Sequence, residues 1–188
     1  LRDKGKKIFL DLKFHDIPTT VAKACFAASQ TGAEFISLHT CAGMKALKMA
    51  NEAANEGAAK VNLKPPKLLG ITILTSWTQE CLATELLIDQ PIVQRVTYLA
   101  EIASKSGLGG CVCSPREVGS LRKIYPRSFE LITPGIRSID SDNNDQSRVS
   151  DASEALKMGA SKLVIGRAIT QSNDPACMFK NFCEKTII

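Results

Sequence analysis

Aromatic side chains are scarce in this chain. Its 188 residues include one Trp, two Tyr and seven Phe, 5% in all. None of them interleaves with a basic run, so a stacking platform for single-stranded nucleic acid is not indicated. No apolar run approaches the roughly 18 residues of a membrane span. The first residues carry no signal-peptide pattern. Neither a Walker A motif nor G-x-G-x-x-G occurs, and "GLGG" (107–110) precedes an apolar segment instead of following one. C-x-x-C is also absent, which removes support for a zinc ribbon or a dithiol redox motif. The seven cysteines, an odd number, read as reduced cytosolic thiols buried as small hydrophobes.

The rest of the composition is ordinary. The chain is 44% hydrophobic and 23% charged, enough apolar material for a core. Its length suits one domain spanning 1–188, without a linker. The net charge of +5 suits an anionic small substrate as well as it suits nucleic acid. The chain starts with Leu, and "LRDKGKK" reads like the end of a helix. The expectation is a chain that begins partway through its fold.

Six short apolar segments read as strands: 8–13, 35–39, 68–74, 110–114, 130–135 and 162–167. Most are nearly continuous in apolar character, as buried parallel strands are. Helical patterns lie between them at Val21–Thr31, Met44–Lys60 and Ile92–Ser106. Ser114, Pro115 and Glu117 form a capping box. Asp151 with Glu154 opens another helix that Gly159 closes. Asp174-Pro175 starts the last. Alternating β and α implies a parallel sheet with crossover helices. An open doubly wound sheet and a (β/α)8 barrel both fit. Barrels run to about 250 residues, so the expected fold class is an α/β TIM barrel incomplete at the N-terminus, with about six of eight strands present.

Charge gathers at strand ends. "IFLDLKFHDIPTT" (8–20) puts Asp11, Lys13, His15 and Asp16 within six residues. Alternation in a strand points residues i and i+2 to one face, so Asp11 and Lys13 project together, with Asp16 opening the loop beyond. Active sites of βα folds lie at this end of the strands. A carboxylate beside an ammonium keeps both ionised and supplies one proton donor beside fixed negative charge. A buried ion pair of purely structural use is the weaker explanation. His15 and His39 could be drawn with Asp11 into a metal site, but hydrogen-bonded strand-end residues are the plainer reading. Thr75 and Ser76 end the third segment, where hydroxyls can hold a polar ring or serve a turn. "TPGIR" (133–137) brings Gly135 and the fork-shaped cation of Arg137 to the fifth strand end. The polar stretch after it, with Gln146 and Arg148, reads as a loop that closes over ligand. Asp140, Asp142 and Asn144 lack the Gly and Glu of a calcium loop. Gly166 and Arg167 end the sixth segment where a helix begins, a place suited to an anion.

These segments together resemble the orotidine 5'-phosphate decarboxylase family. "DLKFHDIPTT", "LTS", "CVCS", "TPGIR", "DQSR" and "VIGRAITQSNDP" follow that family's order across essentially the whole chain, and the "TPGIR…DQ…IGR" set looks like its bacterial branch. The resemblance implies a (β/α)8 barrel acting as a cytoplasmic homodimer, without metal or organic cofactor, that converts orotidine 5'-phosphate to UMP and CO2. It implies that Asp11, Lys13 and Asp16 are the last three members of a Lys-Asp-Lys-Asp array. Lys13 matches the lysine that protonates C6, and Asp11 the carboxylate near the substrate carboxylate. Asp16 and Thr20 match residues that reach the partner's ribose site, and Thr75 and Ser76 pyrimidine contacts. Arg137, Gln146, Gly166 and Arg167 match phosphate contacts. The family's first lysine and a ribose-binding Asp would precede Leu1, so the expectation is a chain lacking two βα units that falls short of full activity alone. No nucleic-acid or membrane partner is implied. Two rivals are a Mg-dependent sugar-phosphate lyase of the hexulose-phosphate synthase or ketogulonate-phosphate decarboxylase type, and a non-catalytic nucleotide-phosphate-binding fragment.

Overall fold

A computed structural model describes residues 1–136 and 151–186. The elements run, in chain order, β1 (Phe9–Phe14), α1 (Pro18–Ser29), β2 (Phe35–His39), α2 (Met44–Lys60), β3 (Lys67–Ile71), α3 (Gln79–Leu86), α4 (Ile92–Lys105), β4 (Gly110–Val112), α5 (Pro115–Ile124), β5 (Glu130–Thr133), α6 (Ala152–Lys157), β6 (Lys162–Leu163), α7 (Arg167–Thr170) and α8 (Pro175–Lys185). Single 3-10 turns occupy Arg2–Lys4 and Thr40–Ala42. The chain divides into two compact units, Leu1–Thr72 with Thr97–Cys111, and Ile73–Val96 with Val112–Ile188.

In the first unit β1, β2, β3 and the start of β4 lie side by side in chain order. β1–β2 and β2–β3 are parallel, and Gly109 N donates to Leu68 O at 3.0 Å as the next strand begins. β2 and β3 are apolar at nearly every position because both of their faces are covered. Ile36, Leu38, Leu68 and Leu69 are fully or almost fully buried. α1 buries Val21, Cys25, Ala28 and Ser29, and α2 buries Ala46, Leu47, Ala50, Ala54, Gly57 and Ala58. Steps of three and four residues put each set on one helical face. Small residues on both faces let the two helices approach closely. At Gly57 an added Cβ would run into the backbone carbonyl of Phe26 and the hydroxyl of Ser29.

In the second unit the end of β4, then β5 and β6, are neighbours. Cys113 N donates to Ile132 O at 3.1 Å, and Val164 N to Thr133 O at 2.9 Å. All four residues of β5 are buried. The capping box of α5 is present: Glu117, itself buried, accepts from Ser114 N at 2.7 Å and Ser114 Oγ at 2.5 Å. Asp151 caps α6 through Ser153 N, and Asp174 caps α8 through Cys177 N. Arg122 on α5 ties the following loops together. Its guanidinium donates to Gly159 O, Pro126 O, Phe129 O and Ser161 Oγ at 2.6–3.0 Å.

The structure departs from the sequence-based expectations in identifiable places. The last four strands end earlier than their apolar runs suggest, whereas β2 keeps its expected bounds and β1 runs one residue further, to Phe14. β3 stops at Ile71 and not at residue 74, because residues 74–77 fold into a turn closed by Trp77 N on Leu74 O at 3.1 Å. α1 starts at Pro18, ahead of Val21, with proline at the position where its missing N–H costs nothing. α3, capped by Thr78 accepting from Cys81 N, had no counterpart among the expected helices. It is short and largely exposed, so it carries little apolar periodicity. The cysteines are free, but only Cys25, Cys111 and Cys113 are buried, while Cys41, Cys177 and Cys183 are exposed. The last two lie on the outer helix α8, where a thiol needs no burial.

Candidate functional site

The first half of β1 pairs normally with β2. Phe9 faces Phe35 and Leu10 faces Ile36, and the two Phe rings meet edge to face at 6.2 Å. The next registered pair is Phe14 with Leu38. Four steps along β1 are thus matched by two along β2. The surplus forms a bulge at Asp11, Leu12 and Lys13, a device that re-aims side chains near functional sites. Lys13 takes up the kink with φ 49, a left-handed conformation that costs a non-glycine residue on the order of 1–3 kcal/mol.

The bulge brings the two expected charges together. Lys13 Nζ lies 2.5 Å from Asp11 Oδ2. The other carboxylate oxygen accepts from Ser37 Oγ at 2.7 Å, and Ser37 Oγ in turn accepts the Lys13 backbone N–H at 3.0 Å. Both side chains of the ion pair are about 40% exposed (41% and 42%), so the pair is open to solvent and to a ligand. Simple alternation anticipated the juxtaposition but not its cause: Leu12, which alternation sends to the opposite face, is itself 49% exposed.

His39 closes β2. Its ring lies 5.3 Å from that of His15 at 40°, and His15 Nε2 is 3.9 Å from Cys41 Sγ. Burial, then the nearby His15 and Lys13, hold the His39 imidazole below its ordinary value, with Asp11 opposing. Near neutrality it is therefore an uncharged neighbour of the Asp11–Lys13 pair. Among the described residues no three His, Cys, Asp or Glu side chains gather as a metal-ligand set, so the grouping of His15, His39 and Asp11 is not assembled. Asp16 sits in the exposed loop beyond β1 and accepts from Ile17 N at 2.6 Å. Thr20 is exposed in the first turn of α1.

The remaining candidates belong to the second unit. Thr75 and Ser76 lie in the turn after Leu74, not at a strand end as expected. The adjoining Trp77 lines a pocket of about 440 Å³ with Thr78, Gln79, Ile92 and Arg116. Gly135 adopts φ 79 just past β5, a left-handed geometry open to glycine without strain. Gly166 precedes α7, and Arg167 is its first residue. Among the described residues, no atom beyond Gly166 and its chain neighbours lies within 4 Å of where a Gly166 Cβ would stand. Arg137, Gln146 and Arg148, with Asp140, Asp142 and Asn144, lie outside the described residues. Ser37 was missed by sequence reasoning. Its signal was a lone hydroxyl inside an apolar strand beside the charged one.

Residues 1–182 match a model of the orotidine 5'-phosphate decarboxylase / HUMPS family. The chain belongs to that family. It is 82% identical over 188 residues to the orotidine 5'-phosphate decarboxylase of Prochlorococcus marinus (strain NATL1A), covering all of this chain and 78% of that protein. It is 51% identical to the one from Parasynechococcus marenigrum (strain WH8102), covering 76% of it. The crystal structure of orotidine 5'-phosphate decarboxylase from Lactobacillus acidophilus superposes with a TM-score of 0.86 at 33% identity, covering all of this chain and 78% of that one. The fold is accordingly α/β of the TIM-barrel class, with six parallel strands in the described residues. No helix among those residues is long and apolar enough to cross a membrane.

Proposed function

We propose that the protein decarboxylates orotidine 5'-phosphate to UMP and CO2 in pyrimidine biosynthesis. The observation that carries this reading is the Asp11–Lys13 pair, locked at 2.5 Å on the bulge of β1 in a chain of this family. Asp11 places fixed negative charge where the substrate carboxylate would lie, an arrangement less unfavourable once that carboxylate has left as CO2. The C6–carboxylate bond breaks with its electron pair kept on C6. Lys13 then gives one Nζ proton to C6, and the amine regains a proton from water. Until that step Asp11 holds the Lys13 amine in place through their direct contact.

The other roles are proposed on the resemblance. Thr75 and Ser76 serve the pyrimidine, and Gly166 and Arg167 the phosphate, with Arg137 and Gln146. Binding energy from the phosphate, remote from C6, is spent on the reacting end. Asp16 and Thr20, both exposed, reach the ribose site of the partner in a homodimer. The reaction as proposed draws on no metal or organic cofactor and takes place in the cytoplasm.

The test is decarboxylation of orotidine 5'-phosphate by the purified protein, followed by ultraviolet absorbance and CO2 release, with Lys13→Ala alongside. Loss of a positioned proton donor lowers kcat by about a hundred- to ten-thousand-fold, with UMP binding, measured by calorimetry, kept. Wild-type turnover in Lys13→Ala would remove lysine from the proton-donor role. No turnover of orotidine 5'-phosphate, together with EDTA-sensitive cleavage of a sugar phosphate, would point instead to a Mg-dependent sugar-phosphate lyase.

A further inference from the structure

We propose that Ser37 is a positioning residue, which sets the geometry of the Asp11–Lys13 pair through a single oxygen atom. This inference rests on the decarboxylase reading and deepens it. Ser37 is fully buried in the middle of β2, between Ile36 and Leu38, which are also fully buried. Packing alone would place another apolar residue there, as it does on either side. The hydroxyl is instead engaged twice. Its proton goes to Asp11 Oδ1 at 2.7 Å, and its oxygen takes the Lys13 N–H at 3.0 Å.

The second bond occupies the Lys13 N–H inside the stretch between Leu10 and Phe14 where the register with β2 breaks. A polar backbone group left without a partner is costly. Ser37 supplies the acceptor, and with it Lys13 is held at φ 49, the conformation that turns its ammonium back onto Asp11. The same hydroxyl fixes one carboxylate oxygen, leaving the other for Lys13 Nζ. One buried atom thus couples the direction of the proton donor to the orientation of its carboxylate. In Ser37→Ala both restraints go together, and Asp11 and Lys13 lose their fixed relation while neither leaves the site.

The experiment compares wild type, Ser37→Ala and Ser37→Thr in two measurements. The first is steady-state turnover of orotidine 5'-phosphate. The second is amide hydrogen exchange at Lys13, which needs no activity. In Ser37→Ala kcat falls about tenfold, the scale of one lost hydrogen bond to a charged group. KM stays within about twofold, because an interaction fixing the reacting groups acts on the transition state. Lys13 amide exchange quickens by about tenfold or more, as expected of a local opening. Ser37→Thr, which keeps the hydroxyl, restores both. An active wild type with unchanged kcat in Ser37→Ala overturns the inference and leaves the decarboxylase reading standing. Equal losses in Ser37→Ala and Ser37→Thr also overturn it, since they would report packing. A wild type that neither turns over the substrate nor binds UMP overturns the reading. Exchange at Lys13 then decides the inference: slow in Ser37→Ala it fails, and fast with rescue by threonine it holds for the pair.

Discussion

Gly57→Ala sets two physical effects of opposite sign against each other. Gly57 lies inside α2 with its Cα facing α1. In an exposed helix interior, replacing glycine with alanine stabilises by about 1 kcal/mol. Here the new methyl would lie 3.0 Å from the carbonyl carbon of Phe26, and closer still to the Phe26 oxygen and Ser29 Oγ. Carbon atoms at rest stand about 3.5–4.0 Å apart, so the helices must part by roughly 0.5–1 Å. The obstacle includes backbone, which cannot turn aside as the end of a long side chain can. Overpacking of this kind costs about 1–3 kcal/mol, with rigid backbone favouring the upper end. The net expectation is a loss of about 1–2 kcal/mol, or a fall in Tm of roughly 2–8 °C at 2–4 °C per kcal/mol. Thermal and urea unfolding followed by circular dichroism measure it. The double variant Ser29→Ala/Gly57→Ala should recover only part of the loss, since the Phe26 carbonyl stays in place. A Gly57→Ala protein as stable as wild type, or more so, would refute the close-approach argument and leave helix propensity in charge.

Other consequences can be measured directly. His39 is held below its ordinary value of 6.5, so the unfolded chain takes up that proton first. Its contribution to stability is present above about pH 6.5 and is lost as pH falls toward the lower folded value. His39→Asn should flatten the dependence of urea midpoints on pH in that window, and an unaltered slope would contradict the assignment. In the native protein Cys41, Cys177 and Cys183 should react promptly with a thiol reagent. Cys111 and Cys113 should stay silent until unfolding, as should Cys25, whose thiol burial pushes up to about 12. Labelling of native Cys25 at the rate of Cys177 would show that the α1 face is not closed.

Much of this was legible in the sequence, for reasons particular to each element. The apolar runs of β2, β3 and β5 could be read because strands covered on both faces leave few choices. The caps at Ser114–Glu117, Asp151 and Asp174 could be read because capping is local chemistry. What escaped depended on relations between distant segments. The bulge in β1 is a mismatch of register against β2, and a single strand carries no record of its partner's register. Ser37 matters only once Asp11 and the Lys13 amide stand beside it, so its lone hydroxyl within 35–39 marked the position without revealing the role. Thr75 and Ser76 moved from strand to turn because "ITIL" is apolar enough to continue a strand, while Trp77 N closes on Leu74 O instead.

The backbone of Lys13 makes position 13 a place where robustness and reactivity ask for different residues. Its φ of 49 is a conformation in which glycine would be at ease. A strain on the order of 1–3 kcal/mol is a sizeable fraction of the 5–15 kcal/mol that typically separates folded from unfolded protein. A directed-evolution campaign scored on heat resistance alone would therefore be drawn toward Lys13→Gly, and with it toward erasing the ammonium. Efforts to harden this protein should hold position 13 fixed and look for compensation elsewhere, such as the exposed end of α3, where Leu87 occupies the same left-handed region at φ 55 with no charge to protect.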